Sequence, residues 1–108
     1  MMKPGEIWVV HIPELGSHEQ SGIRPAVIIA RVTKTIATII PCTSNQEALR
    51  FSYTHRIEPT KENGLSTVSI ALVFHMRALD TSYLKKKIGS LDKKSFSEIR
   101  KQARRLIG

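Results

Sequence analysis

The sequence predicts a mainly β domain with a helix at its C-terminus, a small barrel or curled sheet plugged by that helix. Three observations carry this. Short runs rich in β-forming residues recur at roughly eight- to twelve-residue spacing, punctuated by Gly, Pro, Asn and Asp. The final segment changes to a helical apolar period. At 108 residues and 41% hydrophobic content, the chain suits one domain, residues 1–108, with a real core.

The first strand is expected over Glu6–Ile12, with Lys3-Pro4-Gly5 leading in. Pro13–Gly22 is polar and glycine-bracketed and reads as a mobile surface loop, a common place for chemistry. The stretch from Gly22 to Ala30 then organises the rest. Pro25 suits the first residue of a strand, and residues 26–30 form a short apolar run of the kind buried on both faces, in a strand expected from about Ala26 to Val32. After a turn at Thr33-Lys34, residues 35–40 give a third strand that Pro41 is expected to stop. Cys42–Asn45 reads as a second polar loop. Two strands joined by so short a turn are antiparallel neighbours, which brings Arg24 and Thr43 to one rim of the sheet.

Beyond residues 46–50, which show no clear pattern, residues 51–57 alternate as a half-exposed strand and Pro59–Gly64 as a turn. Residues 70–79 read as one further strand, although Ala71, Leu72 and Met76 would also suit a helix. A short helical or turn segment follows at residues 80–84, then a brief edge strand at 85–89. Asp92 is a plausible N-cap for the last helix, with Ser95-x-x-Glu98 as a competing capping box. Phe96, Ile99, Ala103, Leu106 and Ile107 make its apolar stripe.

The totals exclude several classes. No apolar run is long enough for a transmembrane helix, and the N-terminus lacks the apolar core of a signal peptide. No membrane partner is expected, and the default location is cytoplasmic. The single Cys42 fits a reducing compartment and excludes an internal disulfide. Four scattered His and one Cys show no metal-ligand spacing, so neither a metal nor another cofactor is expected. The formal charge of +8 is lopsided: residues 76–108 hold ten Lys/Arg and three Asp/Glu, or +7, and residues 1–75 seven and six, or +1. A basic segment beside a near-neutral body suits a polyanionic partner, although a solvated helix face would carry the same charge.

From the residues alone, Arg24 is either a catalytic or anion-binding guanidinium on a rigid strand or an arginine that ends a strand in water. His18 reads as a solvated loop residue and His75 as a hydrogen-bonded strand residue. Trp8 and Phe51 could stack bases, although a lone Trp in a first strand is more often core or interface. Cys42 has no acyl-transfer set around it and reads as structural.

A family resemblance gathers these residues. Gly5-Glu6-Ile7-Trp8, Gly16–Val27 with its Arg24-Pro25, Pro41-Cys42-Thr43-Ser44, Asn63-Gly64-Leu65, Arg77-Ala78-Leu79-Asp80 and Ile88-Gly89-Ser90-Leu91 stand in this order along nearly the whole chain. In them the chain resembles the MazF/PemK toxins of type II toxin–antitoxin systems, which are sequence-specific endoribonucleases (mRNA interferases). The resemblance implies an SH3-like barrel with a C-terminal helix, usually a homodimer. It implies metal-independent cleavage of single-stranded mRNA, in which the 2′-OH attacks phosphorus and leaves 2′,3′-cyclic phosphate and 5′-OH ends. It places the key pair at Arg24 and Thr43. It further suggests RNA contacts from His18, Gln20, Ser44 and Arg77, and an acidic, poorly ordered antitoxin as the partner of the basic C-terminal segment.

One departure bears on the mechanism. Many members carry an acidic residue followed by Gln where this chain has Phe74-His75. His75, His18 and Glu19 are the substitutes for the missing base. Two further readings stay open: a non-catalytic toxin of the same fold that binds RNA or a protein such as gyrase, and a structural nucleic-acid module that binds through charge alone.

Overall fold

Three antiparallel strands, β1 (Glu6–Ile12), β2 (Gly22–Arg31) and β3 (Ile36–Thr43), run through the centre of the computed structural model, which describes residues 2–12 and 22–108. Around them lie β4 (Thr54–Ile57), β5 (Ser69–Leu72), β6 (Arg77–Asp80) and β7 (Leu84–Ser90), followed by helix α1 (Lys93–Ile107). The seven strands pair in the order β4-β5-β3-β2-β1-β7, with β6 also on β3. This is the mainly β fold with a C-terminal helix that the sequence predicts.

β2 is buried on both faces, and alternate residues supply two cores. Val27 joins Ile7, Ile40, Cys42, Ile57, Ala71 and Val73 in a core closed by Ile99 and Ala103 of α1. Ala26 and Ile28 join Val10, Ile12, Ile39 and Leu79 in the other. An apolar run that fills both sides of a sheet fixes its register strongly, because a slip of one residue would exchange the two sets. Asp92 is the cap that α1 uses: its carboxylate accepts from the Ser95 N–H at 3.0 Å. Gln102 anchors the helix by donating to the Thr54 carbonyl at 2.9 Å.

Four boundaries differ from the sequence reading. β2 begins at Gly22 and not near Ala26, because residues 22–25 already pair with β1, so Pro25 lies inside the strand. Pro41 does not end β3, which continues to Thr43. One side of Pro41 faces Ala26 of β2; on the other it falls between β6, which pairs as far as Ile39, and β5, which begins at Cys42. No far-side strand asks it for an N–H there. The expected strand at residues 70–79 is two strands, β5 and β6, split by a 3-10 turn at Val73–His75. The expected strand at 51–57 starts only at Thr54. Residues Gln46–Arg50 form a 3-10 helix capped by Asn45, and Tyr53 adopts a left-handed φ of 59°. Ion pairing also shapes the edge of β1. The Glu6 side chain, 7% exposed, accepts from Lys3 N at 2.9 Å and Trp8 Nε1 at 3.0 Å, and pairs with Lys87 at 2.9 Å.

Candidate active site

Two clefts meet at Thr43. The first, of about 470 Å³, lies where the start of β2 meets the end of β3. Arg24, Thr43 and Ser44 line it together with Val9, Ile88 and the segment Gly64–Thr67. The pairing explains the meeting. Ala26 faces Pro41 across the β2–β3 ladder, so two residues further along each strand Arg24 and Thr43 reach the same rim. On its other edge Arg24 faces Val10 of β1. Its guanidinium is half-buried and donates to the Cys42 carbonyl at 3.5 Å, a long contact. A guanidinium held between two strands keeps its fork of donors in place. The Thr43 hydroxyl accepts from the Asn45 N–H at 3.2 Å. That contact uses a lone pair and not the proton, so the hydroxyl keeps a donor to offer.

The Gly64–Thr67 segment of this cleft is held by Asn63. Its side chain is buried and satisfied on both ends: Oδ1 accepts from Thr60 N and Leu65 N, each at 3.0 Å, and Nδ2 donates to the Glu58 carbonyl at 2.8 Å. Two glycines let this turn press against β7. A Cβ at Gly64, where φ is +70°, would lie 1.9 Å from the Ile88 carbonyl oxygen, and one at Gly89 would lie 2.4 Å from the Glu62 carbonyl oxygen.

The second cleft, also about 470 Å³, is lined by Thr43, Asn45, Glu47, Ala48, Arg50, Phe51, Leu72, Phe74 and His75. Its chemistry is aromatic. Phe51 and Phe74 lie 5.7 Å apart between ring centroids, and Phe74 and His75 4.5 Å. His75 therefore shares a wall with Thr43, but from a 3-10 turn and not from a strand face.

The remaining sequence candidates are distributed as follows. His18, Glu19 and Gln20 lie outside the described residues. Ser44 is in the first cleft. Arg77 faces Ile39 on β6 and lines neither cleft. Trp8 lines neither; its indole is tied to Glu6 and packs against the second core. Cys42 is fully buried, and burial pushes its thiol up to about 12 although the Arg24 charge opposes the shift, so it is no nucleophile at neutral pH. Sequence reasoning passed over Asn45, Glu47 and Arg50. Their one signal is the Asx cap before a short helical turn, Asn45 Oδ1 to Glu47 N at 3.0 Å. Among the described residues, no group of three or more His, Cys, Asp or Glu could hold a metal ion, and no helix is long and apolar enough to cross a membrane.

Comparison with known proteins agrees with this architecture. The curated endoribonuclease MazF of Staphylococcus saprophyticus is 29% identical over 102 residues, 92% of this chain and 85% of that protein. The crystal structure of MazF (Form-I) from Deinococcus radiodurans superposes with a TM-score of 0.82 at 21% identity, over 99% of this chain and 96% of that one. A chain of the crystal structure of MazE–MazF (Form-II) from the same organism gives 0.72 at 22% identity, with the same coverage. Mycobacterium tuberculosis toxin MazF-mt6 gives 0.73 at 15% identity, over 94% of this chain and 95% of that one. These superpositions establish the fold. The family model of the PemK-like, MazF-like toxins of type II toxin–antitoxin systems matches residues 3–107, and the chain belongs to that family.

Proposed function

We propose that this toxin is a sequence-specific endoribonuclease that cleaves single-stranded mRNA, with Arg24 and Thr43 as its central pair. The observation that carries the reading is the first cleft, which sets a guanidinium and a hydroxyl donor side by side on two rigid strands. The related protein named an endoribonuclease supports it.

The chemistry fits an intramolecular displacement. The ribose 2′-oxygen attacks the adjacent phosphorus and forms a P–O2′ bond. The P–O5′ bond breaks. A base takes the 2′-proton, and the leaving 5′-oxygen gains one, giving 2′,3′-cyclic phosphate and 5′-OH ends. Arg24 stabilises the charge that builds on the non-bridging oxygens with planar, paired donors. Thr43 donates to the same phosphate. His75, which lines the second cleft together with Thr43, is our candidate for the proton transfers among the described residues, and Ser44 for an RNA contact. The step requires no metal ion.

The proposed partners follow from charge. An acidic antitoxin suits the +7 segment at residues 76–108. A second copy of the chain is proposed as its partner in a homodimer. A non-catalytic toxin, bound to RNA or to a protein such as gyrase, is the second reading. What favours it is Phe74, an aromatic ring beside the cleft where a carboxylate base would serve cleavage.

The test is incubation of the purified protein, in EDTA, with a long single-stranded RNA, and mapping of the ends. Discrete cuts with 5′-OH termini are expected, reduced at least about a hundredfold in folded Arg24→Ala. Intact RNA from folded, antitoxin-free protein would favour the second reading.

A further inference from the structure

A row of the sheet leads out of the first cleft. Pro25 of β2 faces Val9 of β1, and Val9 faces Lys86 of β7. Residues opposite one another in neighbouring strands stand on the same side of a sheet. Pro25 and Val9 line the cleft beside Arg24, so register puts Lys86 on the cleft side, one strand beyond them. Two strand spacings separate it from Pro25, about 10 Å.

The three lysines of β7 are not equivalent. Lys87 faces Trp8 and therefore belongs to the opposite side of the sheet, where it pairs with Glu6 at 2.9 Å. Lys85 has no residue opposite: Val9 faces Lys86 and Val10 faces Leu84, so the ladder shifts there. Such a bulge twists the strand locally and re-aims the side chains next to it. Lys86 is exposed and makes no ion pair among the described residues. β7 also ends the sheet, and edge lysines discourage pairing with another chain. That role asks for charge anywhere on the edge and does not account for a cation in line with the cleft.

We infer that Lys86 is a second phosphate-binding residue: it holds a phosphate of the RNA that flanks the one at Arg24 and Thr43, so that the backbone leaves the cleft over Val9 towards β7. The two cations differ in chemistry. Arg24 offers a planar fork to the phosphate that reacts. Lys86 offers a compact charge on a flexible four-carbon stem, which can follow the backbone and reads no base. Val9 between them has no charge and no polar side-chain atom, so the path crosses it without a competing contact. A phosphate contact of this kind supplies affinity and fixes the strand's position, and it leaves base preference to other groups.

The inference rests on the RNA reading, and binding assays separate their failures. Oligoribonucleotides with 2′-O-methyl ribose cannot attack their own phosphorus, so their affinity is measured whether or not the protein cleaves RNA. The wild type, Lys86→Ala, Lys86→Arg and Lys34→Ala are titrated over a range of salt. Lys34 is also exposed, and it lies in the turn at the other end of the β2–β3 hairpin from Arg24. Lys86→Ala should weaken binding about two- to fivefold, the worth of one exposed ion pair. It should also reduce the slope of log affinity against log salt by about 0.7, the share of one phosphate on a single strand. Lys86→Arg should restore both, and Lys34→Ala should leave the slope unchanged. Single uncharged methylphosphonate linkages are then moved along the strand. One linkage besides that at Arg24 should weaken binding by the wild type and have no effect in Lys86→Ala. On cleavable RNA, Lys86→Ala should raise KM and leave kcat and the cut sequence unchanged. A wild-type slope in Lys86→Ala, or the same methylphosphonate profile in both proteins, would overturn the inference. So would a wild-type slope together with lost affinity for a polyglutamate peptide, which would assign Lys86 to an acidic protein partner. The expected slopes and profile in a protein that leaves RNA intact would support Lys86 and defeat the cleavage reading alone.

Discussion

Replacing Asn63 by Ala should be among the costliest single changes in this protein that touch no apolar core. The side chain is only 4% exposed and makes three hydrogen bonds, to Thr60 N, Leu65 N and the Glu58 carbonyl. At about 1 kcal/mol net for each, their loss amounts to about 3 kcal/mol. The buried Leu65 N–H loses the Asn63 acceptor, which pushes the figure toward about 4 kcal/mol. For a domain of 108 residues that corresponds to a fall in Tm of about 12–16 °C. Asn63→Asp is the informative companion. It keeps an acceptor for both N–H groups but sets a carboxylate oxygen where Nδ2 now donates to the Glu58 carbonyl at 2.8 Å. The aspartate should therefore destabilise at neutral pH and recover part of the loss once protonated. Urea titration of the three proteins at pH 7 and pH 4, with the m-value checked for constancy, measures both effects. A loss below about 1 kcal/mol in Asn63→Ala would refute the claim that this side chain holds the turn. If the turn does hold the Gly64–Thr67 segment of the first cleft, the same variant should also raise KM for RNA at temperatures where it is still folded.

Three other outcomes test the electrostatics and the helix. Asp92→Ala should cost about 1 kcal/mol through loss of the Ser95 cap, read as a shift in urea midpoint, while Ser95→Ala should cost little. Burial opposes the charge on Glu6, but its bonds to Trp8, Lys87 and Lys3 outweigh that and hold its pKa below the usual 4.5. Its stabilisation is thus present above the unfolded value and lost as pH falls below about 4.5. Glu6→Gln should flatten that acid limb, and Glu6→Ala should cost about 2–3 kcal/mol at pH 7 by leaving the Trp8 and Lys3 N–H groups without their acceptor. Burial lowers the pKa of His55, against the opposing pull of Glu98 and Asp92. The unfolded chain then takes up the proton first, so stability is full above about 6.5 and declines as pH falls from there toward the folded value. His55→Gln should remove that decline, seen in midpoints measured at pH 7.5 and 5.5.

What the sequence disclosed and what it hid divide along the range of the interactions. β2 was legible because a continuous apolar run needs both faces covered, and it supplies Val27 to one core and Ala26 and Ile28 to the other. Helix α1 was legible from Asp92 and its apolar stripe. The proximity of Arg24 and Thr43 followed from a short turn between antiparallel strands, a local constraint. Pro41 misled because a proline's tolerance depends on which strand lies beside it, and β3 changes partner there from β6 to β5. The break at Val73–His75 had no composition signal at all. Residues 70–79 are a sound strand by pattern, and the turn is tied through the Tyr53 carbonyl to a segment some twenty residues earlier in the chain.

The aromatic cleft could nonetheless be reached from sequence by one further step. β4 pairs with β5 so that Thr54 faces Leu72. Phe51 lies three residues before the first of these and Phe74 two residues after the second. In an antiparallel pair such positions leave the ladder at the same end, where their rings can meet once both chains turn out of the sheet. The register of a four-residue strand pair thus sets which aromatic residues stand next to Thr43. It follows that a variant that shifts this register should disperse Phe51 and Phe74 while leaving Arg24 beside Thr43. An insertion of one residue between Thr54 and Ile57 is the test. Salt-dependent RNA binding should persist in the folded variant, and its loss would show that the first cleft depends on the register of this strand pair.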